Sequence, residues 1–98
     1  MTIELLDEAK DDLVAGYHFY EDLSSGLGSY FLDSLFADVD SLFLYAATHR
    51  VVYGSPRALA ARFPYAIYYR VEADIVRVRA IIDCRRSPRW VRRRIRNA

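Results

Sequence analysis

The sequence predicts an α+β domain, in which a helical hairpin from the first half of the chain packs on a mainly antiparallel sheet from the second half. Three observations support this class. Apolar residues recur at helical spacing between residues 7 and 48, they alternate with arginines in the second of two strand-like stretches between residues 66 and 82, and 98 residues are enough for only one core. We therefore expect one domain spanning residues 1–98, with the hairpin covering one face of the sheet.

The first half predicts a strand and then two helices. Met1–Leu6 can form a short strand, and from Asp7 the apolar residues fall at helical spacing. Ser24-Ser25-Gly26 is typical of a helix end followed by a turn. A second helix is predicted to follow Gly28 and to run out near Thr48. Because the connection is short, the two helices should pack antiparallel.

The second half predicts a meander of strands. Val51–Tyr53 is a short extended piece, and Gly54-Ser55-Pro56 has turn chemistry. Residues 57–63 alternate small apolar residues with arginines. Two strands are predicted over Ala66–Glu72 and Ile75–Ile82, joined by a tight turn at Ala73-Asp74.

The last predicted strand has two different faces, and a basic helix follows it. Strict alternation places three small apolar residues on one face and two arginines on the other, namely Val76, Val78 and Ala80 opposite Arg77 and Arg79. Proline favours the first turn of a helix, so a short basic C-terminal helix is predicted over Pro88–Arg96.

Charge is distributed unevenly along the chain, although the net charge is only +1. Residues 1–49 hold ten acids and one base, a charge of −9, while residues 50–98 hold thirteen arginines and three acids, a charge of +10. Seven of the arginines lie between Arg85 and Arg96. This asymmetry favours an anionic partner for the second half, either nucleic acid or an acidic protein segment. In an alternative interpretation, the acidic half neutralises the basic half within the folded domain, but this explains the dense C-terminal run poorly.

Several classes of protein are not expected. The longest apolar run, Leu42–Ala47, is far shorter than the ~18–20 residues that cross a bilayer, and the N-terminus lacks a signal-peptide pattern. The single cysteine, Cys84, excludes an internal disulfide and a multiple-cysteine zinc site, and it is compatible with a reducing cytoplasm. We expect a cytoplasmic protein without membrane contact, metal or cofactor.

Isolated reactive groups are expected to be structural or solvated. His18 and His49 lack a third group at metal-ligand or catalytic spacing. Cys84 could be activated by the arginines that follow it, although a lone cysteine at a strand end is more often inert. Four acids near the start of the first helix are predicted to form a solvated face: Asp7, Glu8, Asp11 and Asp12.

The basic run from Asp83 to Arg94 carries the strongest functional signal. Arginine binds phosphates and carboxylates in a bidentate manner, and Trp90 could stack on a base or anchor a peptide. The alternative is a basic tail with Trp90 packed against the core.

These segments together resemble a known family. The stretch Arg57…Arg62-Phe63-Pro64-Tyr65-Ala66-Ile67-Tyr68-Tyr69-Arg70-Val71, the strand end Ala80-Ile81-Ile82 and the sequence Arg85-Arg86-Ser87-Pro88 resemble the RelE/ParE superfamily of type II toxin–antitoxin toxins. The segment Phe19-Tyr20-Glu21…Gly26-Leu27-Gly28…Phe31-Leu32 is similar to the helical hairpin of that family. The resemblance implies a strand–helix–helix–meander order, action inside bacterial cells, and inhibition by an antitoxin whose C-terminal segment wraps the toxin.

The resemblance leaves two targets open. RelE-like members cut mRNA on the ribosome with basic residues and usually a C-terminal tyrosine or histidine, whereas ParE-like members poison DNA gyrase without a hydrolytic site. Arg85 aligns with the last-strand arginine of the RelE pattern, but Ala66 replaces its other strand arginine and Trp90 or Val91 replaces the C-terminal tyrosine. None of these substitutes transfers a proton. The order Asp83-Cys84-Arg85-Arg86 is closer to the ParE-type His-Gly-Arg-Arg, although it lacks the histidine, so gyrase is the favoured target.

The resemblance and the charge together define the candidate residues. Arg85 is the candidate catalytic residue if the protein is an mRNA endoribonuclease, in which case it stabilises a developing phosphorane. Contact with the target or with nucleic acid is expected of Arg57, Arg62, Arg86, Arg89, Trp90, Arg92 and Arg93. Contact with the antitoxin is expected of Arg77, Arg79, Arg85 and Arg86. A nucleic-acid-binding module without enzymatic activity is the remaining alternative.

Overall fold

The structure, a computed structural model, describes residues 2–97 and confirms the α+β class. Its strands are β1 (Thr2–Leu5), β2 (Val51–Val52), β3 (Ser55–Leu59), β4 (Tyr65–Glu72) and β5 (Ile75–Asp83). Its helices are α1 (Asp7–Leu23), α2 (Leu27–Asp40), the single turn α3 (Leu42–Tyr45) and α4 (Pro88–Asn97).

The strands form one mixed sheet in the order β1-β5-β4-β3-β2. Strands β2 to β5 make the predicted antiparallel meander, and β1 adds to the free edge of β5 in parallel. The first turn of the meander lies at Tyr53-Gly54 instead of the predicted Gly54-Ser55-Pro56, because Ser55 and Pro56 already belong to β3. The buried Ser55 hydroxyl donates a hydrogen bond to the carbonyl of Tyr69, which ties β3 to the neighbouring strand (2.9 Å).

The two faces of the sheet support two separate cores. The hairpin of α1 and α2 covers one face, and the cluster there includes Phe31, Leu35, Ile67 and Tyr69. Helix α4 covers part of the opposite face, where Val91 and Ile95 pack on a second cluster: Ala66, Tyr68, Ala80 and Ile82. The end of β5 is therefore buried on both sides.

The predicted alternation along β5 is wrong at Ala80, because the strand contains an irregularity. Tyr68 pairs with Ala80 but Tyr69 pairs with Val78, so Arg79 is an extra residue on this strand. This shift moves the following side chains to the other face. Val76, Val78 and Ile81 belong to the core under the hairpin, while Ala80 and Ile82 face α4.

The predicted single helix from residue 28 to about residue 48 is also wrong, because it is interrupted at Ser41. The Ser41 hydroxyl donates a hydrogen bond to the carbonyl of Asp38 (2.6 Å), a local bond that competes with helix continuation. Helix α3 and a 3-10 turn, Ala46–Thr48, complete the segment. The helical spacing of the buried residues continues past the interruption, since Leu42 and Ala46 are both buried.

Glycines and a glutamate fix the approach of α1 to α2. A Cβ atom on Gly28 would lie 2.7 Å from the Tyr17 carbonyl oxygen, and one on Gly16 would lie 2.5 Å from the Phe31 ring. The Glu21 carboxylate accepts hydrogen bonds from the backbone N–H groups of Gly26 and Gly28 (2.9–3.1 Å). An acidic cap on these free N–H groups stabilises the start of α2.

Candidate functional site

A pocket of about 430 Å³ opens where α1, the end of β5 and the start of α4 meet. Its charged lining comes from Asp12, Asp83, Arg85 and Arg86, and its aromatic lining comes from Phe19, Tyr65 and Trp90. The fold therefore brings Arg85, Arg86 and Trp90 together, as predicted for a binding site on the basic run.

Arg85 is already paired within this pocket. Its Nε and Nη2 groups donate to the two carboxylate oxygens of Asp83 (2.6–3.1 Å), and its backbone N–H donates to the same carboxylate (2.8 Å). These hydrogen bonds lower the pKa of Asp83 and raise the pKa of Arg85. An incoming anion must therefore compete with Asp83 for the guanidinium group.

Two phenols lie beside this pair, and the sequence analysis did not single them out. Tyr20 and Tyr65 are almost fully buried, with rings 6.3 Å apart. Burial raises the pKa of Tyr20 and raises that of Tyr65 to about 12. Both phenols are protonated at neutral pH, so they can donate hydrogen bonds but cannot act as bases. Tyr20 occupies an ordinary core position on its helix, and no sequence signal set either phenol apart.

A smaller pocket of about 120 Å³ lies beside the start of α4 and brings together two of the predicted target-binding arginines, Arg57 and Arg86. Tyr53, Ala66 and Cys84 also line it. The buried Nε of Arg57 has no hydrogen-bond partner among residues 2–97. Burial raises the pKa of the Cys84 thiol, which agrees with the inert role expected of this cysteine.

The four arginines expected to bind the antitoxin do not form one cluster. Arg77 is bonded to Glu72 (2.9 Å) and lies 3.5 Å from Glu4, while Arg79 donates to the carbonyl of Ile95 at the end of α4 (2.7 Å). These two lie along the middle of β5. Arg85 and Arg86 lie in the turn beyond its end, and Arg77 is already six residues, or roughly 20 Å at strand spacing, from the last strand residue Asp83. A partner segment that reaches all four arginines must run along the length of the strand.

Helix α4 presents most of its arginines to solvent. Arg89, Arg92, Arg93 and Arg96 are exposed, and the guanidinium carbon of Arg92 lies 5.6 Å from the centre of the Tyr53 ring. Trp90 is half-buried against the second core, as in the alternative interpretation, while the Arg86 guanidinium covers its ring at 4.4 Å. Arg62, which is also exposed, lies apart from both pockets, near Asp38.

The prediction of a solvated acidic face is wrong at Asp12. Its carboxylate accepts hydrogen bonds from the Ile81 backbone N–H (2.9 Å) and from two nitrogens of Arg94 (2.7 and 2.8 Å). Glu8 lies 3.4 Å from the same guanidinium. Neutralisation of the basic half by the acidic half thus occurs at Arg94, and at Arg77 through Glu4, but not across the whole surface.

The histidines lie outside both pockets. His49 Nδ1 is 2.7 Å from the hydroxyl of Tyr69, which donates to the carbonyl of Ala46, so His49 stabilises the end of the α3 segment. His18 is exposed on α1. Among residues 2–97 no group of three histidine, cysteine or acidic side chains is placed to hold a metal, and no helix is long and apolar enough to cross a bilayer.

Comparison with known proteins identifies the architecture. No family model matches the sequence, and no curated protein matches it. A solved structure described as the chromosomal ParDE TA system from P. aeruginosa contains a chain that superposes with a TM-score of 0.72. The two chains are 21% identical, and the match covers 85% of this chain and 95% of that one.

The chain has the fold of that ParDE chain. The fold expected from the resemblance to the RelE/ParE superfamily is therefore confirmed.

Proposed function

We propose that the protein is the toxin component of a bacterial type II toxin–antitoxin module, that a cognate antitoxin holds it inactive, and that its target is DNA gyrase. The likeness to the ParDE chain over 85% of its length carries this proposal. The basic surface around Arg86 and α4 supports it, since such a surface favours contact with a target that holds nucleic acid.

The chemistry of the larger pocket favours gyrase over mRNA cleavage. Arg85, the candidate catalytic residue, is held by Asp83, and the nearby phenols of Tyr20 and Tyr65 stay protonated. Cleavage of RNA by attack of a 2′-hydroxyl needs a group that accepts a proton. Neither histidine lies in the pocket to provide one.

A groove on the helical hairpin supports the proposal that an antitoxin binds this protein. The groove encloses about 400 Å³, and among residues 2–97 Lys10 is the one charged residue that lines it. Its other lining side chains are those of Leu5, Leu13, Val14, Tyr17, Leu32 and Phe36. Val14 and Phe36 are about half exposed. An amphipathic antitoxin segment would place apolar anchors in this groove and acidic side chains against Arg77, Arg85 and Arg86.

Induction in a bacterial host tests the proposal. We expect low expression to arrest growth with gyrase-dependent double-strand breaks and intact mRNA, and co-expression of the adjacent small acidic protein to restore growth and to co-purify. Arrest accompanied by codon-positioned mRNA cuts that vanish in Arg85→Ala would replace gyrase with mRNA. Normal growth on induction would remove the toxin assignment altogether.

One observation favours an mRNA endoribonuclease as the second candidate. The small pocket is lined by Arg57, Arg86 and Ala66, and the Arg57 Nε has no hydrogen-bond partner among residues 2–97. In this function the two arginines would stabilise the phosphorane electrostatically, together with Arg85. Arg57→Gln tests this candidate, because it should abolish mRNA cleavage if the small pocket is the catalytic site.

A further inference from the structure

The outer face of α4 is a continuous stripe of arginines. Arg89, Arg92, Arg93 and Arg96 follow the spacing i, i+3, i+4 and i+7, which at 3.6 residues per turn places them within an arc of about 100°. All four are exposed. Within residues 2–97 none of them forms a salt bridge, in contrast to Arg94 on the flank of the helix. We refer to these four residues as the α4 stripe.

The opposite side of α4 packs against the rest of the domain. Val91 and Ile95 are buried in the second core, and Arg94 is held by Asp12. The carbonyl of Ile95 accepts a hydrogen bond from Arg79. The helix is therefore fixed against the sheet at three places, and the α4 stripe is held in one orientation toward solvent.

We propose that the α4 stripe binds the phosphate backbone of duplex DNA. The stripe spans about 10 Å along the helix, at 1.5 Å per residue. Over the same length, a duplex presents about six phosphate charges, whose neutralisation releases condensed counterions. Four unpaired guanidinium groups on a rigid helix match that charge density.

The composition of the stripe disfavours an acidic peptide or a membrane surface as its partner. Docking of an acidic peptide relies on apolar anchors, and the stripe has none: Val91 and Ile95 are buried, and the half-buried ring of Trp90 is covered by the Arg86 guanidinium. An interfacial helix likewise places its apolar face in the lipid, and here that face is covered by the sheet. The stripe consists of arginines alone, so contact with the phosphate backbone depends on charge and carries no sequence information.

The cellular role of this contact rests on the proposed function, because the duplex that a gyrase poison meets is the one that gyrase holds. The binding itself does not depend on that function. Growth arrest and duplex binding are measured separately, so the two proposals fail separately.

The experiment measures fluorescence anisotropy of a labelled 20-base-pair duplex of arbitrary sequence with the purified chain. Four phosphate contacts predict a salt slope of about −3.6, so the affinity should fall roughly 100-fold between 50 and 200 mM salt. The variant Arg92→Gln/Arg93→Gln should reduce the slope by about two. The matched control is Arg50→Gln/Arg70→Gln, which removes the same charge from exposed arginines outside α4 and should retain the wild-type slope.

Two further probes complete the design: an acidic 20-residue peptide and vesicles containing phosphatidylserine. We expect both to bind more weakly than the duplex. The proposal is overturned if either binds more tightly than the duplex, or if the two double variants lower the slope equally. Because all four substituted arginines are exposed, circular dichroism should show unchanged folding for both variants.

Discussion

Tyr65 shows how burial controls an ionisable side chain next to a charged pocket. Its side chain is 8% exposed, and its phenol lies near Asp83 and Arg85. Burial contributes most to its raised pKa of about 12, and the neighbouring Asp83 carboxylate acts in the same direction. The folded state therefore keeps this phenol protonated at a pH where the unfolded chain begins to lose the proton.

This difference predicts a loss of stability at alkaline pH. The stabilising effect is complete below pH 10, the ordinary pKa of tyrosine, and it is lost as the pH rises through about 12. Urea unfolding should be measured at pH 8 and at pH 11. Between these two values the free energy of unfolding of Tyr65→Phe should fall by about 1 kcal/mol less than that of the wild type. Tyr45→Phe, which removes an exposed phenol, should follow the wild type. Equal pH dependence in the wild type and Tyr65→Phe would contradict the expectation.

Helices α1 and α2 approach each other more closely than a side chain at their contact allows. At Gly28 the obstacle is the carbonyl oxygen of Tyr17, which belongs to the backbone of a regular helix and cannot rotate away. At Gly16 the obstacle is the ring of Phe31, itself fully buried. The spacing of the hairpin therefore depends on the absence of a Cβ atom at these two positions.

Gly28→Ala should separate the helices and destabilise the protein by about 1–3 kcal/mol, although alanine is the better helix former. The change is measured by chemical denaturation. Ser29→Ala, an exposed substitution on the same turn, should change the free energy of unfolding by no more than about 0.5 kcal/mol. A stabilised Gly28→Ala variant would show that helix propensity outweighs the close approach.

The elements that the sequence predicts correctly are those specified by local patterns. The start of α1 at Asp7, the turn at Ala73-Asp74 and the start of α4 at Pro88 all follow from period, turn and cap residues. The sequence analysis assigned Ala80 to the wrong face of β5 for a different reason. The irregularity at Arg79 arises from the pairing of β5 with β4, and the alternation of apolar residues and arginines in the sequence does not reveal it.

The same reasoning applies to the candidate site. The grouping of Arg85, Arg86 and Trp90 could be predicted, since these residues are close in the sequence. The contribution of Tyr20 could not be predicted, because it depends on how a residue of α1 packs against the end of β5. Residues far apart in the chain meet through packing, which periodicity does not encode.

Across the whole molecule, the acidic and basic halves of the chain meet most closely at Asp12. Asp12 on α1 binds the backbone of β5 and the guanidinium of Arg94 on α4. The two side chains are only 16% and 21% exposed, so solvent screens this pair less than an ordinary surface pair. One carboxylate therefore joins the hairpin, the sheet and the C-terminal helix.

Asp12→Asn should destabilise the protein by about 1–3 kcal/mol, because it leaves a half-buried guanidinium without its anionic partner. The destabilisation should persist in 0.5 M salt, since the pair is poorly screened. Asp11→Asn, an exposed neighbour on the same helix, is the matched control and should remain close to the wild type in urea unfolding. Equal effects of the two substitutions would mean that Asp12 acts only through general charge.

The parallel pairing of β1 with β5 also affects the timing of folding during synthesis. Thr2 is aligned with Ile75, so β1 emerges from the ribosome 73 residues before its partner. At 5–20 residues per second, β1 waits about 4–15 s for that partner. The helical hairpin, whose contacts are local, has time to form within this interval. We therefore expect the hairpin to fold before this edge of the sheet closes, and closing it joins residues 2–5 to residues 75–78.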